Sequence, residues 1–224
     1  MPILNNQDYE FIEFKNRLKT VVRTGWREIG IPDEEVESVY SHIASTKDLV
    51  ADFNKKYNLG LDLDKMFKMI TIKELPKAYT QEEKSVIAGG SSKEINRNII
   101  NEIKEHFNLD DEFVALYDEF VEGVTNEAKY ALMFSKFESD LQAVDYYKRG
   151  LMQLDPVLAD IEYYPEDIKA KAKARLAEYP IPPLGWLTYD STYYVGNELF
   201  TGLSDELIQY CIKLYEDKKT TTLK

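Results

Sequence analysis

The sequence predicts an all-α fold, and three observations carry that expectation. Apolar residues recur at the three- and four-residue spacing of helices through most of the 224 residues. Few segments show the two-residue alternation of half-buried strands. Residues that start and stop helices punctuate the periodic stretches at helix-length intervals. Together these describe helices packed on helices around one core, with an appendage at the C-terminal end.

Taken in order, residues 8–29 place Phe11, Phe14, Leu18, Val21 and Val22 at helical spacing, and Gly30 ends the run. Asp33 is read as the N-cap of a second helix over 34–57, closed by Asn58-Leu-Gly60. Asp62 or Asp64 opens a third, with Met66, Phe67, Met69, Ile70 and Ile72 on its buried side. Residues 82–92, with Ala88-Gly-Gly-Ser-Ser92, read as a mobile connection or lid, since these side chains offer little to pack. Periodicity resumes over 93–107 and 110–121, and Thr125 caps a long helix over 126–147. The last third differs in texture. A helix is expected over 165–178, then an irregular Tyr179-Pro-Ile-Pro-Pro-Leu-Gly-Trp186 that its prolines exclude from regular helix. An aromatic loop or hairpin over 189–200, a final helix capped by Ser204 and running to Glu216, and a frayed tail from Lys218 complete the chain.

Composition narrows the function. The chain is 44% hydrophobic and 30% charged, as soluble globular proteins are. A net charge of −12 repels polyanions, and no dense Lys/Arg run supplies a local basic patch, so a nucleic-acid polymer is not an expected partner. No stretch approaches the roughly 20 apolar residues that span a bilayer, and the N-terminus lacks the features of a secretory signal. The single cysteine, Cys211, excludes an internal disulfide and fits a cytoplasmic setting. Histidine is scarcer than metal centres usually require: His42 and His106 are the whole supply. Gly-rich phosphate loops, nucleophile elbows and Cys-x-x-Cys pairs are missing.

Three stretches carry the functional signal: Arg23-Thr-Gly-Trp26 to Glu37-Ser-Val-Tyr-Ser-His42, Ile72-Lys-Glu-Leu-Pro-Lys-Ala78, and Ser135-Lys-Phe-Glu138 to Leu141-Gln-Ala143. In order and spacing they resemble the HD superfamily of phosphohydrolases, within it the bacterial 5′-deoxynucleotidases and the HD-domain-containing-protein-2 group. The resemblance implies an HD-like helical core over residues 1–150 and a Tyr/Pro-rich helical and loop extension over 151–224, packed on the core. It also implies a homodimer. In such enzymes two histidines and two aspartates hold a divalent metal, which lowers the pKa of its water and polarises a phosphate. The arginine and tryptophan of the first stretch help form the substrate pocket.

Carried over residue by residue, the metal pattern is mostly replaced. His42 matches the first histidine. Lys73 stands at the second, and an ammonium has no lone pair to donate. Glu74 stands at the first aspartate, Lys77 at the catalytic glutamate and Ser135 at the final aspartate. Glu82 keeps an acid near an outer aspartate of the family. A metal, if bound, would draw on His42, Glu74, Glu82 or Glu138. No residue is assigned a catalytic role, and no cofactor is expected.

Several readings stay open at this point. Lys73 and Lys77 lie one turn apart on a solvated helix face, or Lys73 places its ammonium where the cation sat, pairing with Glu74. Arg23, with a fork for phosphate, and Trp26, with a stacking face, would then join His42, Lys73, Glu74, Lys77 and Ser135 in a ligand pocket. The expected protein is a degenerate HD-domain member that binds a nucleotide-like or other anionic small molecule, or acts in regulation. Its rivals are a working nucleotidase with an unusual metal site and a pure protein-interaction module.

Overall fold

The computed structural model describes residues 5–81 and 93–222, and among them every regular element is helical. The chain divides into two compact units, residues 1–24 with 36–135 and residues 25–35 with 136–224.

The first unit begins with α1 (Asn6–Asn16) and a 3-10 turn, Arg17–Lys19. The single helix expected over 8–29 is therefore broken. Val21 and Val22 are held extended instead: Val39 N–H donates to the Val21 carbonyl, and Val22 forms an isolated antiparallel bridge with Ser38. β-Branched side chains suit that conformation. Helix resumes only at α2 (Thr24–Glu28). The same pairing moves the start of α3 to Val39–Tyr57, since its cap is Ser38, whose hydroxyl accepts from Ser41 N–H. Asp33, expected as that cap, accepts from Arg27 instead.

Asn58 ends α3 in the left-handed conformation at φ 50°, where asparagine is among the few non-glycine residues tolerated. Asp62 caps α4 (Leu63–Ile72), which buries Met66, Met69, Ile70 and Ile72. Next come α5 (Leu75–Thr80), α6 (Lys93–Phe107) and α7 (Asp111–Glu122), the last capped by Asp110. Helix α4 packs on α3 and α7, α6 on α5 and α7, and α1 on α5. Phe11, Phe14, Phe107 and Phe113 form one aromatic cluster between α1, α6 and α7. The connection expected over 82–92 lies outside the described residues. Thr125 caps α8 (Asn126–Lys148) through Ala128 N–H, as its sequence predicts. The residues of α8 up to Ser135 belong to the first unit and the remainder to the second.

The second unit adds α9 (Leu154–Ile161), α10 (Glu166–Glu178), α11 (Pro183–Asp190), a 3-10 turn Ser191–Tyr194 and α12 (Glu198–Thr222). Four expectations change here. The Pro-rich stretch starts a helix rather than excluding one, because Pro183 occupies the first helical position, where a missing N–H costs nothing. Gly185 then lets α11 lie close to α9: a Cβ there would come within 2.8 Å of Val157 and 2.9 Å of Ile161. The aromatic segment becomes the end of α11, the 3-10 turn and the start of α12 instead of a hairpin. Asn197 accepts from Phe200 N–H at the head of α12, so Ser204 lies inside the helix as a buried residue and not at its cap. The helix also runs through most of the tail expected to fray.

Candidate functional site

The extended pairing that interrupts the first helix also builds the site. Arg23 N–H donates to the Glu37 carbonyl at 3.0 Å, which sets the two side chains facing each other. Arg23 Nη1 then lies 2.9 Å from Glu37 Oε1 and 3.1 Å from His42 Nδ1. A guanidinium only donates, so Nδ1 is the accepting nitrogen and the ring proton of a neutral imidazole sits on Nε2. His42 comes from the first turn of α3 and is 3% exposed. Burial first, then the charges of Arg23, Lys73 and Lys77, drive its pKa well below the usual histidine range, against an opposing pull from Glu74. Hydrogen bonding and electrostatics thus agree on a neutral ring.

Glu74 sits between α4 and α5, where Lys73 closes one helix and Leu75-Pro76 opens the next. It is buried, yet both carboxylate oxygens are engaged. Lys73 Nζ pairs with Oε1, and Lys77 Nζ lies 2.7 Å from Oε2. His42 Nε2 is 4.0 Å from Oε1. Burial alone would push the Glu74 carboxyl up, but the two ammonium groups outweigh it and hold the acid well below its usual range. Lys73 feels the reverse: burial pulls its pKa down, and the neighbouring carboxylate resists. Its Nζ lies 5.8 Å from the centre of the Phe120 ring. With side chains 12% and 26% exposed, neither lysine stands on a solvated face. Cationic side chains and carboxylates thus alternate around a neutral imidazole.

The structure therefore joins Arg23, His42, Lys73, Glu74 and Lys77 in one connected cluster. Glu37, quoted in the motif but not singled out for the site, belongs with them. Its signal was its place after Arg23 in a shared motif, since the two residues precede different helices and no single helix relates them. Ser135 is buried, with its hydroxyl donating to the Ala131 carbonyl one turn back. Trp26 falls in the second unit, 1% exposed, stacked on Trp186 at 4.4 Å between ring centres and edge-on to Tyr146. Glu138, also buried, follows Ser135 by one turn of α8 and falls in the second unit. Glu82 lies outside the described residues. His106 is exposed in the last turn of α6, and Cys211 is a core residue whose thiol burial pushes up to about 12.

Comparison with known proteins places this arrangement in its class. A family model described as HD domain matches residues 15–175, and the chain belongs to the HD-domain family. Its phosphohydrolase superfamily and its likeness to the deoxynucleotidase group follow from a curated relative. The chain is 32% identical over 156 residues to 5′-deoxynucleotidase HDDC2 of Dictyostelium discoideum, covering 62% of this chain and 77% of the relative. Two solved archaeal structures share the fold. A conserved hypothetical protein from Pyrococcus furiosus superposes with a TM-score of 0.54 at 23% identity, over 66% of this chain and 89% of that one. A protein from Pyrococcus horikoshii OT3 gives 0.55 at 22% identity, over 79% and 98%. Among the described residues no helix is long and apolar enough to cross a membrane.

Proposed function

We propose that this chain is an HD-domain protein whose metal has been replaced by its own lysines, and which binds a nucleotide-like or other anionic small molecule, in a binding or regulatory role. The observation that carries the reading is Glu74, with one oxygen on Lys73 and the other on Lys77. A first-row metal needs free lone pairs from several donors. Here the accepting nitrogen of His42 faces Arg23, its other nitrogen bears the proton, and both Glu74 oxygens serve ammonium groups. These donors do not fit a metal as they stand. Arg23 and Lys77 supply the kinds of cationic group that recognise a phosphate.

A second reading, the working phosphohydrolase, has its own support. The curated relative is named as a deoxynucleotidase. Donor atoms of Glu37 and His42 also lie within 4.8 Å of each other. One experiment separates the two. The purified protein is analysed for metal and then assayed on deoxynucleoside monophosphates with Mn²⁺ or Co²⁺, beside His42→Ala and Lys77→Gln variants. The expected result is substoichiometric metal, no His42-dependent turnover, and a thermal shift by the nucleotide that Lys77→Gln abolishes. Stoichiometric metal with turnover that needs His42 would establish the enzyme instead.

A further inference from the structure

A second site lies in the first unit, apart from the Glu74 cluster. Helices α1, α3, α4, α5 and α7 line an open pocket of about 230 Å³ with an apolar floor of Phe11, Phe67, Ile72, Leu75 and Phe113. Lysines stand at its wall. Lys68 is neutralised there, 3.0 Å from Asp64 and 3.3 Å from Glu112. Lys15 and Lys47 are not. Lys15 Nζ lies 4.7 Å from the centre of the Phe11 ring and Lys47 Nζ 5.7 Å from that of Phe67, and among the described residues neither pairs with a carboxylate. In the last turn of α1, Lys15 also offsets the helix dipole, but Lys47 lies mid-helix on α3 and has no such role.

Two half-buried ammonium groups of like charge stand beside an apolar pocket, and an anion between them would relieve their mutual repulsion. Burial and the charge of Lys15 both disfavour the protonated form of Lys47. We infer that this pocket binds a small amphipathic organic anion, its apolar ring or branched chain among the phenylalanines and its carboxylate or phosphate on Lys15 and Lys47. The volume suits a ligand of about one ring, below the roughly 300 Å³ at which sites for drug-sized molecules begin.

The test is calorimetric titration of the full chain with benzoate and with phenyl phosphate, which distinguish the two head groups. Benzyl alcohol and inorganic phosphate serve as the halves of the ligand. At least one of the two anions is expected to bind saturably, and each half at least about tenfold more weakly, the worth of a charge-assisted hydrogen bond or of the buried ring. Lys47→Gln is expected to lose that tenfold with its melting temperature kept, and the Lys15→Gln, Lys47→Gln pair to lose more. Lys77→Gln is expected to leave this binding intact, which separates the site from the cluster around Glu74. Failure of both anions to bind, equal binding of benzyl alcohol or of inorganic phosphate, unchanged affinity in the double variant, or loss in Lys77→Gln would each overturn the assignment.

Discussion

Glu74 in the first unit and Asp140 in the second are carboxylates at nearly the same depth, 4% and 0% exposed, yet their acidities shift in opposite directions. Glu74 has two ammonium groups on it and is held well below the ordinary range. Asp140 has a phenol, Tyr194 Oη donating at 2.6 Å to Oδ2, and a second buried acid, Asp190, nearby. Lys136, the cation of this group, lies 3.0 Å from Asp190. Burial raises the Asp140 carboxyl well above its usual value, Asp190 adds to the rise, and Tyr194 and Lys136 resist without prevailing. Among the described residues, Asp140 Oδ1 has no hydrogen-bond partner. Depth does not decide the sign; the cations within reach do.

The comparison can be broken most sharply at Glu74. Glu74→Gln removes the buried carboxylate that Lys73 and Lys77 share and should cost about 3–5 kcal/mol in urea denaturation at pH 7. Replacing Lys73, Glu74 and Lys77 together by Met, Leu and Met should recover most of that loss, since an apolar set carries no stranded charge. A cost below about 1 kcal/mol for the single variant would mean that the lysines reach solvent, and the contrast would collapse. Because Glu74 is more acidic folded than unfolded, its contribution is complete above the ordinary 4.5 and is lost as the pH falls below it towards the depressed value.

Asp140→Asn should act in the opposite direction. The folded chain keeps a proton on Asp140 that the unfolded chain releases, so the wild-type aspartate costs stability as the pH rises above the ordinary 3.8. Asparagine keeps an acceptor for Tyr194 and carries no charge. A gain of about 1–2 kcal/mol is expected at pH 7, read as a rise of about 2–4 °C per kcal/mol in the melting temperature. That gain should shrink as the pH is lowered towards 4. A loss of stability at neutral pH would show that the carboxylate form is wanted.

Ser38→Ala offers the mildest test. It removes the cap of α3 one turn before His42 and should cost about 1 kcal/mol in the same denaturation experiment. If it also changes nucleotide binding, the helix start tunes the cluster as well as supporting it.

Much of the helical framework was legible in the sequence, because α6 and α7 carry clear helical periodicity and strong caps, Asp110 and Thr125, open α7 and α8. The breaks were not. Asp33 and Ser38 are equally good caps by residue type, and only a remote event, the pairing of 21–23 with 37–39, selects Ser38. Proline at 183 reads locally as a breaker, and its place at the start of α11 decides otherwise. For the site, the motif pointed to Arg23, His42, Lys73, Glu74 and Lys77, which come together in the structure. What could not be read was direction. Trp26 stands three residues after Arg23 in the same motif, yet its indole lies against Trp186 and Tyr146 in the other unit.

That excursion of the chain has a consequence during synthesis. Residues 25–35 leave the first unit and belong with residues 136–224, so no single cut yields the second unit whole. A ribosome delivers Trp26 long before Tyr146 and Trp186 exist. At about 5–20 residues per second, the interval between residue 135 and the end of the chain is on the order of ten seconds. Over that interval the first unit has all of its residues, while an indole destined for a buried stack waits in water. The stack is completed only when α11 has emerged.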